Sequence, residues 1–316
     1  MSEGEDEPGF LKMIRAPFLF AILVPLVSVT LVSTSISGSF NLFGFVFASI
    51  TGFSLHITTN VYNDIYDTKQ GADDQESKEN EFSGGSGVIV DDRDLLPKMY
   101  MIARTGIVVG VTATFFLMFF IDRALWLPLW IVIAISVFLS KYYTAEPFKM
   151  AYRGLGEVVV VLGFGPLAVF LASFGQNMGF HPIILAISPI TGLSTLFIVW
   201  MGEMVDLPTD LKGGKIGLVA RLGFERAKFG MIAVHMIALL NVFFVIFFFL
   251  NPGWPLLIAF LPHIFLLPKL IASLKKMDGY GEKIDELSKL NFTLYISFSL
   301  FLMAGYGLDL ILQAYL

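Results

Sequence analysis

Two stretches of this sequence gather the side chains best suited to chemistry. The first runs His56-Ile-Thr-Thr-Asn60-Val-Tyr-Asn63-Asp64-Ile-Tyr-Asp67 and continues through Lys69. On a helix, Asn60, Asn63, Asp64 and Asp67 fall at i, i+3, i+4 and i+7 and share one face. The second runs Glu203-Met-Val-Asp206-Leu-Pro-Thr-Asp210 and continues through Lys212 and Lys215. Its three carboxylates fall at i, i+3 and i+7, again on one face. Two such faces repel each other unless something cationic lies between them. Oxygen donors without His or Cys suit a hard cation, Mg²⁺ above all, which is commonly shared between one or two carboxylates and a phosphate group. Lys69, Lys141, Arg153, Lys212 and Lys215 would complete an anion site, so the chemistry that fits is a diphosphate held by Mg²⁺. Either stretch alone has a plainer reading, because acidic residues commonly end a helix where it meets water. Their pairing favours the functional one.

The elements that must position these residues are built for lipid. Hydrophobic residues make up 56% of the 316, and only 15% are charged, against about 25% in a soluble domain. Crossing a hydrocarbon core of about 30 Å takes roughly 20 apolar residues. Runs of that kind fall at 17–35, 41–62, 99–121, 124–140, 155–175, 181–202, 228–250, 254–273 and 291–314. They show no two-residue alternation, so the fold expected is an all-α integral membrane protein, with nine transmembrane helices in a single bundle around a central cavity. Every Lys and Arg except Arg123 lies on one side of this arrangement. The positive charge places that side and the N-terminus in the cytoplasm, and the odd helix count places the C-terminus outside.

The expected organisation is a cytoplasmic N-terminal segment 1–16 and one transmembrane domain 17–316. Its motif loops, 63–98 and 203–227, are cytoplasmic, and the site opens toward that side. The acidic start lacks the basic n-region of a secretory signal, so the first run is expected to stay as an anchor. The absence of cysteine excludes disulfides and thiolate chemistry. Nothing supports nucleic acid binding or implies a protein partner. His181, His235 and His263 read as structural, the Phe-rich runs 115–120 and 243–249 as lipid-facing or packing residues, and Glu76 to Glu81 as a solvated loop. For His56, packing inside the bundle competes with orienting a ligand.

Asn63-Asp64-Ile-Tyr-Asp67 and Asp206-Leu-Pro-Thr-Asp210 resemble the two aspartate-rich motifs of the UbiA superfamily of intramembrane prenyltransferases. Phe82-Ser-Gly-Gly-Ser-Gly-Val88, Tyr143-Thr-Ala-Glu-Pro147, Tyr152-Arg-Gly-Leu-Gly-Glu157 and Gly214-Lys-Ile-Gly-Leu-Val-Ala-Arg-Leu-Gly223 look like segments of its menaquinone branch. The resemblance implies transfer of an isoprenyl chain from a polyprenyl diphosphate to an aromatic acceptor such as 1,4-dihydroxy-2-naphthoate. It also implies two Mg²⁺ ions, one on Asp64 and Asp67 with Asn60 or Asn63, the other on Asp206 and Asp210. Together they would clamp the diphosphate as it leaves an allylic cation. Lys215 matches the family's basic residue, and Lys69, Lys141, Arg153 and Arg15 are further candidate diphosphate contacts. His56, Glu203 and Tyr143 are candidates for acceptor contact or proton handling. An apolar tunnel open to membrane lipid would hold the tail, with loop 82–88 closing as a lid.

The sequence departs from the family pattern at three places. Gly71 stands where the extended first motif has Asp, as in the menaquinone branch, with Asp73 and Asp74 close behind. Gly202-Glu203 stands where that branch often has Asn, and Pro208 inside the second motif is expected to bend the helix and redirect Asp210. The acceptor stays open among a naphthoate, a phenolic acid, a tetrapyrrole and a glycerol phosphate ether lipid precursor. An ion-coupled transporter is the reading from a different class. It would place charges near the midplane on broken helices and show internal repeats, whereas these carboxylates lie at helix ends. An inactive descendant of the family is opposed by the intact Asp64, Asp67, Asp206 and Asp210.

Overall fold

The computed structural model describes residues 8–74, 85–251, 253–277 and 284–315. Among them nine helices are long and apolar enough to cross a membrane, and none of the described residues is in a strand. They are α1 (Ala16–Ser37), α2 (Leu42–Gln70), α3 (Arg93–Phe120), α4 (Arg123–Tyr142), α5 (Gly156–Gly175), α6 (Pro182–Val205), α7 (Phe224–Phe249), α8 (Trp254–Lys275) and α9 (Ile284–Tyr315). Large apolar side chains stand outward on α3 and α7, including Phe115, Phe116, Phe119, Phe247 and Phe248. Such a surface would drive association in water, and acyl chains solvate it. The chain is a multi-pass integral membrane protein.

The main core joins α1, α5, α6, α7 and α9 around Val29, Val169, Phe174, Ile187, Phe197, Val242 and Phe298. Where α2 meets α3, small residues set the spacing. A Cβ on Gly106 would collide with Thr58 Oγ1 and lie 2.9 Å from the Ser54 carbonyl. Thr51 donates to the Gly110 carbonyl at 3.2 Å and Thr58 to that of Ala103 at 3.2 Å, the close hydrogen-bonded packing that small residues allow between membrane helices.

Three local features shape the end of the bundle where the two motifs lie. Helix α2 continues for 29 residues, about 43 Å at 1.5 Å per residue, so its last turns extend past a hydrocarbon core of about 30 Å. The segment 63–98, expected as a loop, is therefore helical as far as Gln70, and Gly71 at φ +77° ends it. Helix α6 instead stops at Val205, and the chain turns at Asp206 before a short helix Leu207–Lys212. Pro208 enters that helix in its first turn, where a missing N–H costs nothing, so the break falls at Asp206. In α5, Gly163–Leu167 forms a π-helical turn with Gly165 outside helical geometry, and π-turns of this kind concentrate at functional sites.

The N-terminal segment is not a free tail from Gly9 onward. A short helix, Phe10–Met13, buries Met13 and Ile14 against Val61 and Ile65 of α2 and against Val88, Ile89 and Met99. This second, smaller core clamps the N-terminus and the 85–95 segment over the end of α2. Residues 1–7, the acidic run Glu76 to Glu81 and residues 82–84 of the expected lid lie outside the described residues.

Candidate active site

Inside the bundle a cavity of about 230 Å³ is walled by α1, α2, α4, α5 and α6. Its deep part is apolar, with Ala21, Leu55, Phe164, Leu167, Ala168 and Leu171, and its mouth carries Asn60, Asn63, Asp67, Asp73, Asp206 and Lys215. The i, i+3, i+4, i+7 face predicted for α2 forms as expected, because the helix is unbroken through Asp67.

Asp67 is fully buried and is held from three directions. Asn63 Nδ2 donates to its Oδ2 at 2.7 Å, Lys215 Nζ to the same oxygen at 3.1 Å, and the Tyr152 hydroxyl to its Oδ1 at 2.9 Å. Burial pushes the Tyr152 hydroxyl well above its ordinary range, with the Asp67 charge adding to the shift, so it stays a donor. Asp64 accepts the Ser86 amide at 3.0 and 3.1 Å, and Arg15 Nη1 lies 3.9 Å away. A Cβ at Gly85 would overlap the Asp73 carboxylate and lie 2.8 Å from Asp64 Oδ1, and φ there is +69°, so only glycine lets the chain pass this close. Arg15 itself adopts a left-handed conformation at φ 54° between two short helical segments, a local cost of the kind that accumulates at functional sites.

On the opposite side Lys215 Nζ also pairs with Asp210 Oδ1 at 3.3 Å. Burial pushes the Asp210 carboxyl up to about 7, against the pull of Lys215 and with the help of Asp206. Burial works against the Lys215 ammonium, yet the charges of Asp210 and Asp67 outweigh it and raise its pKa well above the lysine range. Asp73 is pushed well upward by burial first and then by Asp67 and Asp64. One ammonium thus bridges the two motifs at the position where carboxylates without it would repel.

That bridge is the test of whether a metal suits the site. The donor set is oxygen alone, and a cation already occupies the gap between Asp67 and Asp210. Among the described residues no three His, Asp or Glu side chains converge closely enough to hold an ion by themselves. A hard ion completed by phosphate oxygens and water fits that donor set.

Of the basic candidates, Arg15 and Lys215 reach the cavity. Lys69, Lys141, Arg153 and Lys212 do not line it. Lys69 is exposed and donates to the Tyr100 hydroxyl at 2.9 Å, Lys141 lies over the Tyr142 ring at 5.2 Å, and Arg153 is exposed and donates to the Pro147 carbonyl at 3.0 Å. Asn60 lines the cavity and ties down the N-terminus through the Ile14 carbonyl at 3.2 Å. His56, Tyr143 and Glu203 all line the cavity. The His56 ring meets Phe164 edge-on at 4.8 Å, and its buried Nδ1 has no partner. Burial pushes the Tyr143 hydroxyl well above its ordinary range, so it too stays protonated.

Sequence reading missed Tyr152 and Ser86. Tyr152 sits in the Tyr152-Arg-Gly-Leu-Gly-Glu157 segment, whose resemblance to the family is the one available signal. Ser86 acts through its backbone amide, which no side-chain pattern marks. His235 and His263, read as structural, are buried and form a chain with Asn291 at 3.1 Å per link, away from the cavity.

Membrane-spanning helices carrying two acid-bearing ends over an apolar cavity are the arrangement of an intramembrane prenyltransferase. The chain belongs to the UbiA prenyltransferase family, whose sequence pattern matches residues 22–282. A 2-carboxy-1,4-naphthoquinone phytyltransferase of Synechocystis is 23% identical over 94% of this chain and 92% of that protein. A 1,4-dihydroxy-2-naphthoate octaprenyltransferase of Mycobacterium tuberculosis is 29% identical over 57% of this chain and 60% of its own length. The fold is shared with a UbiA homolog from Archaeoglobus fulgidus bound to DMAPP and Mg²⁺, at a TM-score of 0.55 and 13% identity, covering 93% of this chain and 99% of that one. A UbiA homolog from Aeropyrum pernix K1 gives a TM-score of 0.58 at 15% identity, over 96% and 98% of the two chains.

Proposed function

We propose that the protein transfers an isoprenyl chain from a polyprenyl diphosphate to an aromatic acceptor of the 1,4-dihydroxy-2-naphthoate kind, with Mg²⁺ as cofactor. The observation that carries this reading is the meeting of Asp67 and Asp210 across Lys215 at the mouth of an apolar cavity. Naphthoate prenyl- and phytyltransferases among the relatives support the acceptor class, and the DMAPP- and Mg²⁺-bound structural neighbour supports the donor and the metal.

Asp64 and Asp67, with Asn60 or Asn63, would hold one ion, and Asp206 and Asp210 a second. When bound, Mg²⁺ supplies charge neutralisation that lets the diphosphate depart. Lys215 can move its ammonium from the carboxylates onto the phosphate oxygens, and Arg15 stands beside Asp64 to do the same. Phe164, Leu167, Ala168 and Leu171 enclose the allylic carbons and keep water from the cation formed as the C–O bond breaks. Each CH₂ of the tail buried there stabilises binding by about 0.8 kcal/mol, so a long isoprenoid enters from lipid without crossing water. The segment Gly85–Val88, the described part of the expected lid, covers Asp64 through the Ser86 amide. The side bearing the two motifs is read as cytoplasmic from its basic loops.

The test is an assay of purified protein in detergent with geranylgeranyl diphosphate, Mg²⁺ and a panel of hydroxylated aromatic acids, with and without EDTA. Metal-dependent diphosphate release together with a prenylated product is expected. Binding of the diphosphate without product from any aromatic acid would move the acceptor to another class, and no binding at all would overturn prenyl transfer.

A further inference from the structure

One ionisable side chain in the cavity wall takes no part in holding the diphosphate or its metal. His56 stands on α2 four residues before Asn60 and on the same helical face, which puts it about 6 Å deeper at 1.5 Å per residue. It lines the cavity, is 8% exposed, and its Nδ1 is buried without a partner. A histidine that serves packing looks different in this bundle. Both ring nitrogens of His235 are paired, with His263 and Asn291, at 3.1 Å each. The hydroxyls around the cavity are already spent. Thr59, Ser136, Ser140 and Thr195 all line it, and each gives its O–H to a carbonyl one turn back on its own helix, at 2.9, 2.8, 2.8 and 3.1 Å. The imidazole meets the Phe164 ring edge-on at 4.8 Å, and Phe164 is itself placed by the π-turn Gly163–Leu167. An ionisable side chain inside a membrane bundle is retained against a cost. A buried nitrogen left unpaired there calls for a partner that arrives from outside the protein.

We propose that His56 binds a hydroxyl of the aromatic acceptor and thereby fixes which ring carbon faces the prenyl C1. The inference rests on the prenyl-transfer reading above. C1 is bonded to the diphosphate, so it enters the cavity just inside the level of Asn60 and Asp67. A carbon that reacts with it must lie about 3–3.5 Å away, which sets the acceptor ring against the wall between Asn60 and His56. A neutral imidazole has one donor and one acceptor nitrogen, so it can hold a hydroxyl whichever way the proton points. Phe164, on the facing wall, offers an aromatic surface beside the same place. A hydroxyl makes the ring carbons ortho and para to it electron-rich. Tying that hydroxyl to one point of the wall selects one of them.

The experiment compares the wild type with His56→Phe and His56→Gln as full-length protein in detergent, with geranylgeranyl diphosphate and Mg²⁺. The acceptors are 1,4-dihydroxy-2-naphthoate and its analogues with one or the other hydroxyl replaced by hydrogen. Acceptor binding is read by fluorescence titration, and turnover by the product and its site of attachment. His56→Phe keeps an aromatic ring against Phe164 but offers no hydrogen bond. It is expected to weaken acceptor binding about tenfold and to yield products joined at more than one ring carbon. Its KM for the prenyl diphosphate should stay within about twofold. His56→Gln, which keeps a donor and an acceptor, should recover most of the loss. One of the two analogues should bind His56→Phe and the wild type equally, because it lacks the hydroxyl that His56 holds. Wild-type acceptor affinity and a single product from His56→Phe overturn the proposal. So does an equal loss with every analogue, or a diphosphate KM that rises in step. Where His56→Phe does not fold, the wild type labelled with ¹⁵N-histidine carries the test. One of its four imidazoles should shift with 1,4-dihydroxy-2-naphthoate and with only one of the analogues, and no shift overturns the contact. A wild type that prenylates no hydroxylated aromatic acid overturns the parent reading, and this one with it.

Discussion

Asp67 and Asp210 both meet Lys215, yet the helices that carry them end in different ways. Helix α2 runs unbroken through its motif, and Asp67 receives hydrogen bonds from Asn63, Tyr152 and Lys215 at once. Asp64 beside it is covered by the Ser86 amide. Helix α6 breaks at Asp206, and Asp210 sits on a short helix between that break and Gly213. Three donors converge on the first motif's Asp67, while burial raises the Asp210 carboxyl to about 7. The contrast describes a preorganised half and an adjustable half. The first fixes where a charged ligand docks, and the second settles around it, a division of labour that lowers the cost of closing over each new substrate.

If both halves are required, Asp67→Ala and Asp206→Ala will each lower kcat by about 10²- to 10³-fold, the range of losses when a charge-stabilising group is removed. Size-exclusion elution in detergent should stay unchanged. An Asp206→Ala variant keeping a tenth of the wild-type rate would reduce the second half to a spectator. The next effect concerns protons. Below about 7, Mg²⁺ must displace a proton from Asp210 to bind there, so the apparent affinity should rise up to tenfold per pH unit and then level off above it. Calorimetric Mg²⁺ titrations at pH 6 and pH 8, in buffers of different ionisation enthalpy, measure the proton release directly. The slope should weaken in Asp210→Asn, and a slope identical in both proteins would place the proton elsewhere.

Tyr152→Phe tests the preorganised half more gently. Removing one hydrogen bond worth about 1 kcal/mol should weaken Mg²⁺-dependent diphosphate binding about fivefold, with the fold intact. The smallest effect is expected where the structure turns a basic candidate away from the cavity. Lys69→Ala and Arg153→Ala should stay within about twofold of wild type in kcat/KM, as exposed substitutions generally do, whereas Lys215→Ala should not. A large loss at Lys69 would mean that the diphosphate site extends toward Tyr100.

Much of this molecule was legible before any coordinates. Apolar runs mark the nine long helices of the described residues, because about 20 mostly apolar residues are needed to cross the hydrocarbon core whichever side faces lipid. The face shared by Asn60, Asn63, Asp64 and Asp67 follows from helical spacing alone. What stayed hidden depends on contacts between distant segments. Tyr152 reaches Asp67 from 85 residues away, and the Ser86 amide reaches Asp64 from 22 residues away. The π-turn at Gly163–Leu167 and the break at Asp206 had local signals in Gly-Phe-Gly-Pro and Leu-Pro, yet a proline alone does not say whether a helix bends, stops or restarts. Lys69, Lys141 and Arg153 had the right charge near the motifs in sequence. Direction in space, which spacing cannot supply between separate elements, set them apart from Lys215.

The lysine bridging the two motifs also bears on how such a protein is made. In a bundle that assembles before any metal ion arrives, a nest of bare carboxylates at its end would hold the helices apart. Lys215 supplies the missing charge from within the chain. Assembly of the bundle in the membrane then need not wait for metal, and loading becomes an exchange of one cation for another.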